Sequence, residues 1–233
     1  MEVALALEPE WIRHQLFAIG AVAGWLTLVG SMALLVRQRW PNQPEWSRKV
    51  VHIGTGPVLL IAWGLEIDRR VALPAAGLIT LLAALNHRIR VLPAIEDVDR
   101  RSYGTIAYGA TIVLLLLLWW PAQPAAVAAG VLVMAYGDGL AGLIGPLWPS
   151  PRWQVLGQKR SLLGTTTMAL ASLVALVLVR HLALASGATA PDLGALATMA
   201  LLATALEQVA WLGLDNLSVP LAVAALWRWW SGG

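Results

Sequence analysis

The hydrophobic positions of the chain form long runs separated by short polar stretches. The runs 15–36, 105–120, 164–179 and 193–205 contain no charged residue. Their lengths approach the ~20 residues with which a helix crosses ~30 Å of hydrocarbon. The alternation of apolar and polar residues that is typical of membrane barrels is absent. The pattern therefore predicts an all-α, polytopic helical bundle in a membrane, built as a single domain over residues 1–233.

The runs and their boundaries predict about eight helices, about 7–8 of them transmembrane. They are expected near 14–37, 50–65, 71–86, 104–120, 124–137 with a continuation over 139–148, 163–185, 192–213 and 216–230. The short segments 50–65 and 71–86 allow an alternative, a single re-entrant hairpin. That alternative changes the helix count and leaves the later loops on the same side.

Composition supports the membrane assignment and narrows the chemistry. The chain is 58% hydrophobic and 12% charged, against roughly 25% charged residues in soluble domains. It has no cysteine, which excludes disulfides, thiolate metal sites and a cysteine nucleophile. The net charge of +3 gives no indication of a nucleic-acid partner. Glutamates before the first apolar run and arginines after it predict that this helix is retained.

The cations are unevenly distributed between the two sides of the predicted bundle. If the N-terminus faces outward, most of the 16 lysines and arginines fall in inner loops, which favours a cytoplasmic location for those loops. The inner cations are Arg37, Arg39, Arg48, Lys49, Arg88, Arg90, Arg100, Arg101, Arg152, Lys159 and Arg160. We therefore expect an integral membrane protein of the inner membrane, or of the thylakoid in a photosynthetic cell, with its polar site on the cytoplasmic face.

Asp138 is the carboxylate of the most distinctive stretch, residues 134–167. It lies between Gly137 and Gly139, and Gly137, Ala141 and Gly145 recur at every fourth position. One interpretation is a small-residue packing face with a snorkelling aspartate. The other is a Mg²⁺ ligand with a nucleotide packed against bare glycine backbone.

A basic loop follows Asp138 and leads into the next predicted helix. Lys159, Arg160, Ser161, Gly164 and Thr165 combine cations, hydroxyls and the free amides of a helix start, a combination that favours anions. An ordinary membrane anchor with an N-cap explains the same residues. Beside Asp138 on the same face, the loop is better interpreted as a cradle for a polyphosphate.

Two further acidic residues lie near the same predicted face. Glu207 is expected within an apolar helix, where an ionisable side chain is costly unless it is paired or faces a polar cavity. The alternative is a protonated Glu207 that bonds to a neighbouring helix. Asp215 and Asn216 precede Pro220 and form either a turn or a second metal or general-base site.

The second helix begins with Arg48 and Lys49, and His52 follows one turn later. In one interpretation Arg48 and Lys49 neutralise phosphate charge and His52 accepts a proton. In the other, the two cations are interfacial anchors and His52 is a core histidine. Arg101, in the stretch RRSYGT, is a further candidate for contacting phosphate at a helix start.

These stretches together resemble a known family. RKVVHIGTG at 48–56, RRSYGT at 100–105, GDGLAGLIG at 137–145, QKRSLLGT at 158–165 and ALEQVAWLGLDNLSVP at 205–220 are similar to motifs of the membrane-embedded CTP-dependent lipid kinases. That family includes phytol, farnesol and dolichol kinases and a diacylglycerol kinase branch, and the SYGT and DNLSVP stretches are most similar to the phytol kinase branch. The chain departs from the family pattern at Gly142 and after Ser161, where acidic residues are common.

The resemblance implies transfer of the terminal phosphate of CTP, or of another nucleoside triphosphate, to the hydroxyl of a long prenyl alcohol. It implies that Asp138 binds Mg²⁺ and the nucleotide phosphates, with Lys159, Arg160, Arg48 and Lys49 as phosphate-neutralising cations. Glu207 or Asp215 then completes the metal site or accepts the alcohol proton. Two alternatives remain open, a phosphatidate cytidylyltransferase and a transporter in which Glu207 is a coupling carboxylate. The sequence leaves the oligomeric state open.

Overall fold

The computed structural model describes residues 8–89, 104–210 and 213–232, and within these ranges the chain is almost entirely helical. The elements are α1 (Pro9–Arg39), α2 (Pro44–Thr55), α3 (Val58–Gly64), α4 (Arg69–Ile89), α5 (Gly104–Trp119), α6 (Pro124–Leu132), a π-helical turn (Val133–Asp138), α7 (Gly139–Ile144), β1 (Arg152–Val155), β2 (Gln158–Ser161), α8 (Leu162–Ala185), α9 (Leu193–Gln208) and α10 (Asp215–Ser231).

Three helical stretches of the described chain are long and apolar enough to cross a membrane. They are Pro9–Arg39, Pro124–Ile144 and Leu162–Ala185, and the second joins α6, the π-helical turn and α7. Two shorter apolar helices are Gly104–Trp119 and Leu193–Gln208. Large apolar side chains of α1, including Leu16, Phe17 and Leu35, are exposed, as expected for a helix that faces lipid.

The α6 helix is the centre of the bundle, and every residue from Ala125 to Leu132 is buried. Its small side chains allow close approach of its neighbours. A Cβ added at Gly130 would lie 2.4 Å from the carbonyl oxygen of Pro220 in α10. The α6 and α10 backbones therefore touch at this point.

The predicted single helix over 50–65 is wrong, because α2 begins at Pro44 and a break around Gly56 and Pro57 separates it from α3. Proline at position 57 cannot donate a backbone hydrogen bond, which favours a new start there. The predicted helix over 192–213 is also too long. In the structure α9 ends at Gln208, so Glu207 lies in its last turn.

Residues 152–161 form a β-hairpin, which the all-α prediction did not include. Arg152 pairs with Ser161 and Val155 with Gln158 in an antiparallel register. Leu156 and Gly157 form the two-residue turn, with φ of 47° and 79°. Positive φ at both positions is typical of a type I′ turn, whose twist matches that of paired strands.

Candidate functional site

Polar side chains from α2, the π-helical turn, β2, α8, α9 and α10 meet at one end of the bundle. Asp138 ends the π-helical turn, Glu207 lies in the last turn of α9, and Asp215 begins α10. Each offers an oxygen atom, and the three atoms lie within 4.8 Å of one another. Residues distant in sequence therefore form one acidic cluster, defined here as Asp138, Glu207 and Asp215.

Asp138 is held by two side chains of α2. Lys49 Nζ donates to Asp138 Oδ2 at 2.6 Å and to the Asp138 carbonyl oxygen at 3.1 Å. His52 Nε2 lies 3.4 Å from the same Oδ2 and 3.3 Å from the carbonyl oxygen of Met134. Because a carbonyl can only accept, His52 bonds to Met134 through an Nε2–H donor. The Asp138 carboxylate is therefore fixed in direction.

Gly142 gives Lys49 its path to Asp138. A Cβ added at Gly142 would lie 2.4 Å from Lys49 Cε and 2.8 Å from its Nζ. The lysine side chain thus crosses α7 where that helix has no side chain. This is the position at which the resemblance led us to expect an acidic residue.

Glu207 is bound by a cation and an amide. Arg160, on β2, donates through Nη1 to Glu207 Oε1 and through Nη2 to the Glu207 carbonyl oxygen. Gln208 Nε2 donates to Glu207 Oε2 at 2.8 Å. Arg160 is only partly exposed and Glu207 is nearly buried, so this pair is shielded from water and interacts more strongly than a surface pair.

The donor set suits a hard divalent cation. Carboxylate oxygens are the ligands that Mg²⁺ prefers in proteins, and the acidic cluster supplies three. Asn216, which follows Asp215, has a buried Oδ1 that meets no hydrogen-bond donor within the part of the chain that the structure describes. Within the described part of the chain, the cations Lys49 and Arg160 pair with two of the three carboxylates, Asp138 and Glu207, so a negative charge remains for an ion to balance. The residues present therefore fit a magnesium ion.

The glycines of the motif pack against protein. Added Cβ atoms would lie 2.5 Å from Met168 Sδ at Gly137 and 2.3 Å from Ile53 Cγ1 at Gly139. At Gly145 the added atom would lie 3.1 Å from Gly164 Cα, so α7 and α8 approach closely there. Neighbouring helices thus occupy the glycine face on which a nucleotide was expected, and nucleotide contact at these glycines stays a prediction.

The predicted phosphate-binding cations separate in the structure. Arg48 pairs with Glu45 at 2.8 Å, one turn earlier in α2. Lys159 is exposed on β2, whereas Arg160 turns inward, as the alternation of side chains along a strand requires. Arg101 lies outside the described residues. The structure thus brings Lys49 and Arg160 directly to the acidic cluster.

Ser161 and Thr165 lie at the start of α8. Ser161 Oγ accepts from the backbone N–H of Gly164 at 3.1 Å, so Ser161 is the N-cap of this helix, as in the alternative interpretation of the loop. Thr165 Oγ1 accepts from Gln208 Nε2 at 3.1 Å. The helix start therefore contacts the end of α9 that carries Glu207.

The sequence interpretation missed two neighbours of the site. Gln208 was overlooked because an amide beside a glutamate gives no charge signal. The Tyr108 ring, from α5, lies 4.5 Å from the His52 ring between centroids. Its spacing from His52 along the chain offers no local pattern, so only the tertiary structure reveals this contact.

Comparison with known proteins gives one consistent set of relatives. A phytol kinase of Synechocystis sp. is 41% identical over 219 residues, which cover 94% of this chain and 91% of that protein. The chloroplastic "Probable phytol kinase 1" of Glycine max is 26% identical over 89% of this chain and 74% of its own length. Its counterpart in Oryza sativa is 26% identical over 94% of this chain and 75% of its own length. No family model matches the chain, and no solved structure does.

Proposed function

The chain belongs to the phytol kinase family, and from this premise we propose that it transfers the terminal phosphate of CTP, or of another nucleoside triphosphate, to the hydroxyl of phytol or a related long prenyl alcohol. The observation that supports the proposal is the acidic cluster, which gathers three carboxylates and two cations at one end of an apolar bundle. Phosphoryl transfer needs positioning and electrostatic stabilisation more than covalent chemistry from the protein.

We assign Asp138 and Glu207 to hold Mg²⁺, and we keep Asp215, the third carboxylate of the cluster, for the proton of the acceptor alcohol. A bound magnesium ion would supply positive charge that neutralises charge developing on the nucleotide phosphates. Lys49 and His52 fix the direction of Asp138 through the contacts at 2.6 Å and 3.4 Å. Arg160 and Gln208 do the same for Glu207. The carboxylates are thus oriented before substrate arrives, which lowers the reorganisation needed during the reaction.

Lys49 and Arg160 have a second role in this proposal. Both donate to carboxylates in this structure, and both can turn part of their donor set to phosphate oxygens. Arg160 has a buried Nε without a hydrogen-bond partner, and a planar guanidinium binds phosphate with paired donors. We therefore expect Arg160 to contact the transferred phosphate group.

The acceptor alcohol must lose its proton as its oxygen attacks the terminal phosphorus and the bond from that phosphorus to the bridging oxygen breaks. Both oxygens of Glu207 already accept hydrogen bonds from Arg160 and Gln208. Asp215 accepts from its neighbour Asn216 through one oxygen, Oδ1. We therefore propose that Asp215 Oδ2 accepts the proton of the alcohol.

The bundle suits an amphiphilic acceptor. A prenyl alcohol carries one hydroxyl on a long hydrocarbon, so the hydroxyl sits at the membrane interface and the hydrocarbon in the lipid core. The acidic cluster lies at the end of apolar helices whose outer faces expose leucines. We propose that the described helices form a polytopic bundle with 7–8 crossings and the cluster on the cytoplasmic side, in the inner membrane or the thylakoid.

The test is a phosphate-transfer assay with purified protein in detergent. CTP and ATP labelled in the terminal phosphate are offered with phytol, farnesol, longer polyprenols and diacylglycerol. Label in a prenyl monophosphate, with a requirement for Mg²⁺, is the expected result. Failure of every prenyl alcohol with both nucleotides would overturn the proposal. Label that enters lipid only from the α-phosphate of CTP would instead indicate a cytidylyltransferase.

A further inference from the structure

Gln208 connects the acidic cluster to the start of α8. Its Nε2 donates to Glu207 Oε2 at 2.8 Å and to Thr165 Oγ1 at 3.1 Å. An amide nitrogen has two hydrogens, so both bonds can form at once. The orientation of the amide follows from the chemistry, because an ionised carboxylate only accepts and must face the nitrogen.

The two oxygens of Glu207 have different donors. Oε1 is bound by Arg160, a charged residue on the hairpin, and Oε2 by Gln208, a neutral residue on the same helix. If substrate phosphate draws Arg160 toward itself, as the proposed function requires, Gln208 remains the donor that fixes Glu207. A neutral amide can keep this bond without competing for the phosphate.

The oxygen of the Gln208 amide differs from its nitrogen in its surroundings. Its Oε1 is buried and has no hydrogen-bond partner among the described residues, and leaving a buried acceptor unpaired is costly. The observed orientation of the Gln208 amide therefore satisfies both hydrogens of its nitrogen and leaves its oxygen without a donor. A side chain that served only to fill space between α8 and α9 would not need this arrangement.

We propose that Gln208 is a positioning residue that holds Glu207 in the acidic cluster by tying it to Thr165. The proposal rests on the proposed function for its catalytic consequence, whereas its structural consequence is a change in metal affinity. Partners that orient a metal-ligating residue typically contribute about 10–100-fold in metal affinity or activity. Gln208 thereby joins the site without touching the reacting atoms.

The first experiment measures metal binding directly, by titrating purified protein with Mn²⁺ and recording the free ion by electron paramagnetic resonance. Gln208→Leu keeps the size of the side chain and removes both donors. We expect its Mn²⁺ dissociation constant to rise about 10-fold or more. An unchanged constant in a folded variant would overturn the proposal.

Thr165 and Thr204 provide matched tests. Thr165→Val removes the hydroxyl that anchors Gln208, and Thr165→Ser keeps it, so a weaker affinity in the first and wild-type affinity in the second are expected. Thr204 lies one turn before Gln208 in α9 and is buried, and its hydroxyl donates to the carbonyl of Ala200 in its own helix. Thr204→Val should leave Mn²⁺ binding unchanged. If it weakens binding as much as Gln208→Leu, packing of α9 and not positioning is the cause, and the proposal fails.

The second experiment separates the proposal from the proposed function. In the phosphate-transfer assay, Gln208→Leu should lower kcat about 10-fold or more with little change in KM for the alcohol. A wild-type protein that transfers no phosphate disproves the proposed function and leaves the Mn²⁺ result to decide the role of Gln208. If Gln208→Leu does not fold, the Thr165→Val and Thr165→Ser pair carries the test.

Discussion

The two ends of the bundle use charged residues in opposite ways. At the end with the acidic cluster, Lys49 and Asp138 form a pair at 2.6 Å whose side chains are 9% and 18% exposed. At the other end, Asp68 and Arg70 form a pair at 2.8 Å whose side chains are 25% and 55% exposed. The distances are similar, so burial is the difference between them.

Three further cations of the opposite end contact neutral groups. Arg69 donates to the carbonyl of Leu117, Arg180 Nε donates to the carbonyl of Pro191 at 3.0 Å, and the Arg228 guanidinium lies 5.5 Å from the centre of the Trp119 ring. These contacts tie helix ends together and match an interfacial anchor. Buried charge pairs are costly to form, so their concentration at one end supports the proposal of a functional site there.

The largest effect is expected from Asp138→Asn. The substitution keeps the shape of the side chain and removes its charge, so it weakens the metal site and leaves Lys49 without its partner. We expect a loss of phosphate transfer of roughly 10³-fold, about 4 kcal/mol of transition-state stabilisation. The measurement is the initial rate with labelled nucleotide.

Stability must be separated from catalysis in that variant, since an unpaired buried cation costs about 3–5 kcal/mol. A double variant, Lys49→Met with Asp138→Asn, removes the unpaired charge and should recover the thermal unfolding midpoint without recovering activity. Recovery of activity in the double variant would contradict the role given to Asp138.

A smaller effect is expected from Gly142→Ala. The new methyl group would lie 2.4 Å from Lys49 Cε, so the end of the Lys49 side chain must shift, and we expect its contact with Asp138 to weaken. We expect the rate to fall about 10-fold, with a stability loss of about 1–3 kcal/mol from overpacking. Both the rate and the unfolding midpoint are measured.

Gly20→Ala is the matched control, because an added Cβ at Gly20 meets nothing within 4 Å. Alanine in a helix interior is more favourable than glycine by about 1 kcal/mol, so this variant should be as stable as wild type or slightly more so, with full activity. Equal losses in the two glycine variants would show that the path of Lys49 is unimportant.

The smallest effect is expected from Asp68→Asn, the counterpart of Asp138→Asn at the opposite end. Hydrogen bonds from Arg70 lower the pKa of Asp68, so the stabilisation is present at neutral pH and is lost as the pH falls through that lowered pKa. Exposed pairs contribute little. Phosphate transfer and the unfolding midpoint at neutral pH should both stay close to wild type, and a large loss of activity would remove the contrast between the two ends.

The sequence placed the polar residues at one end of the bundle, because the lengths of the apolar runs determine where each chain segment returns to the interface. Asp138, Glu207 and Asp215 were all named from charge in an apolar context. The argument from depth was wrong for Glu207, since α9 ends one residue later. Glu207 was still identified as a candidate, because a carboxylate next to an apolar run is unusual both in the middle of a helix and in its last turn.

Pairings between distant segments could not be predicted. Arg160 meets Glu207 because the hairpin alternates its side chains and directs Arg160 inward and Lys159 outward, and the hairpin itself depends on a turn with Leu156 at positive φ, which sequence patterns disfavour. Lys49 reaches Asp138 because Gly142 has no side chain. The sequence shows this glycine but does not show that Lys49 packs against it. Roles of these residues in catalysis stay predictions.

The contact between Gly130 and Pro220 has a mechanical consequence for the site. Gly130 lies about two helical turns before Asp138, and Pro220 lies a little over one turn after Asp215. Where two main chains touch, neither helix can slide inward, and side-chain rearrangement cannot absorb the motion. If α10 tilted against α6, the two helices would rotate about this contact. The distance between Asp138 and Asp215, which lie about one to two turns away from it, would then change. The spacing of the two helices that carry these carboxylates is thus restrained by a contact between backbones.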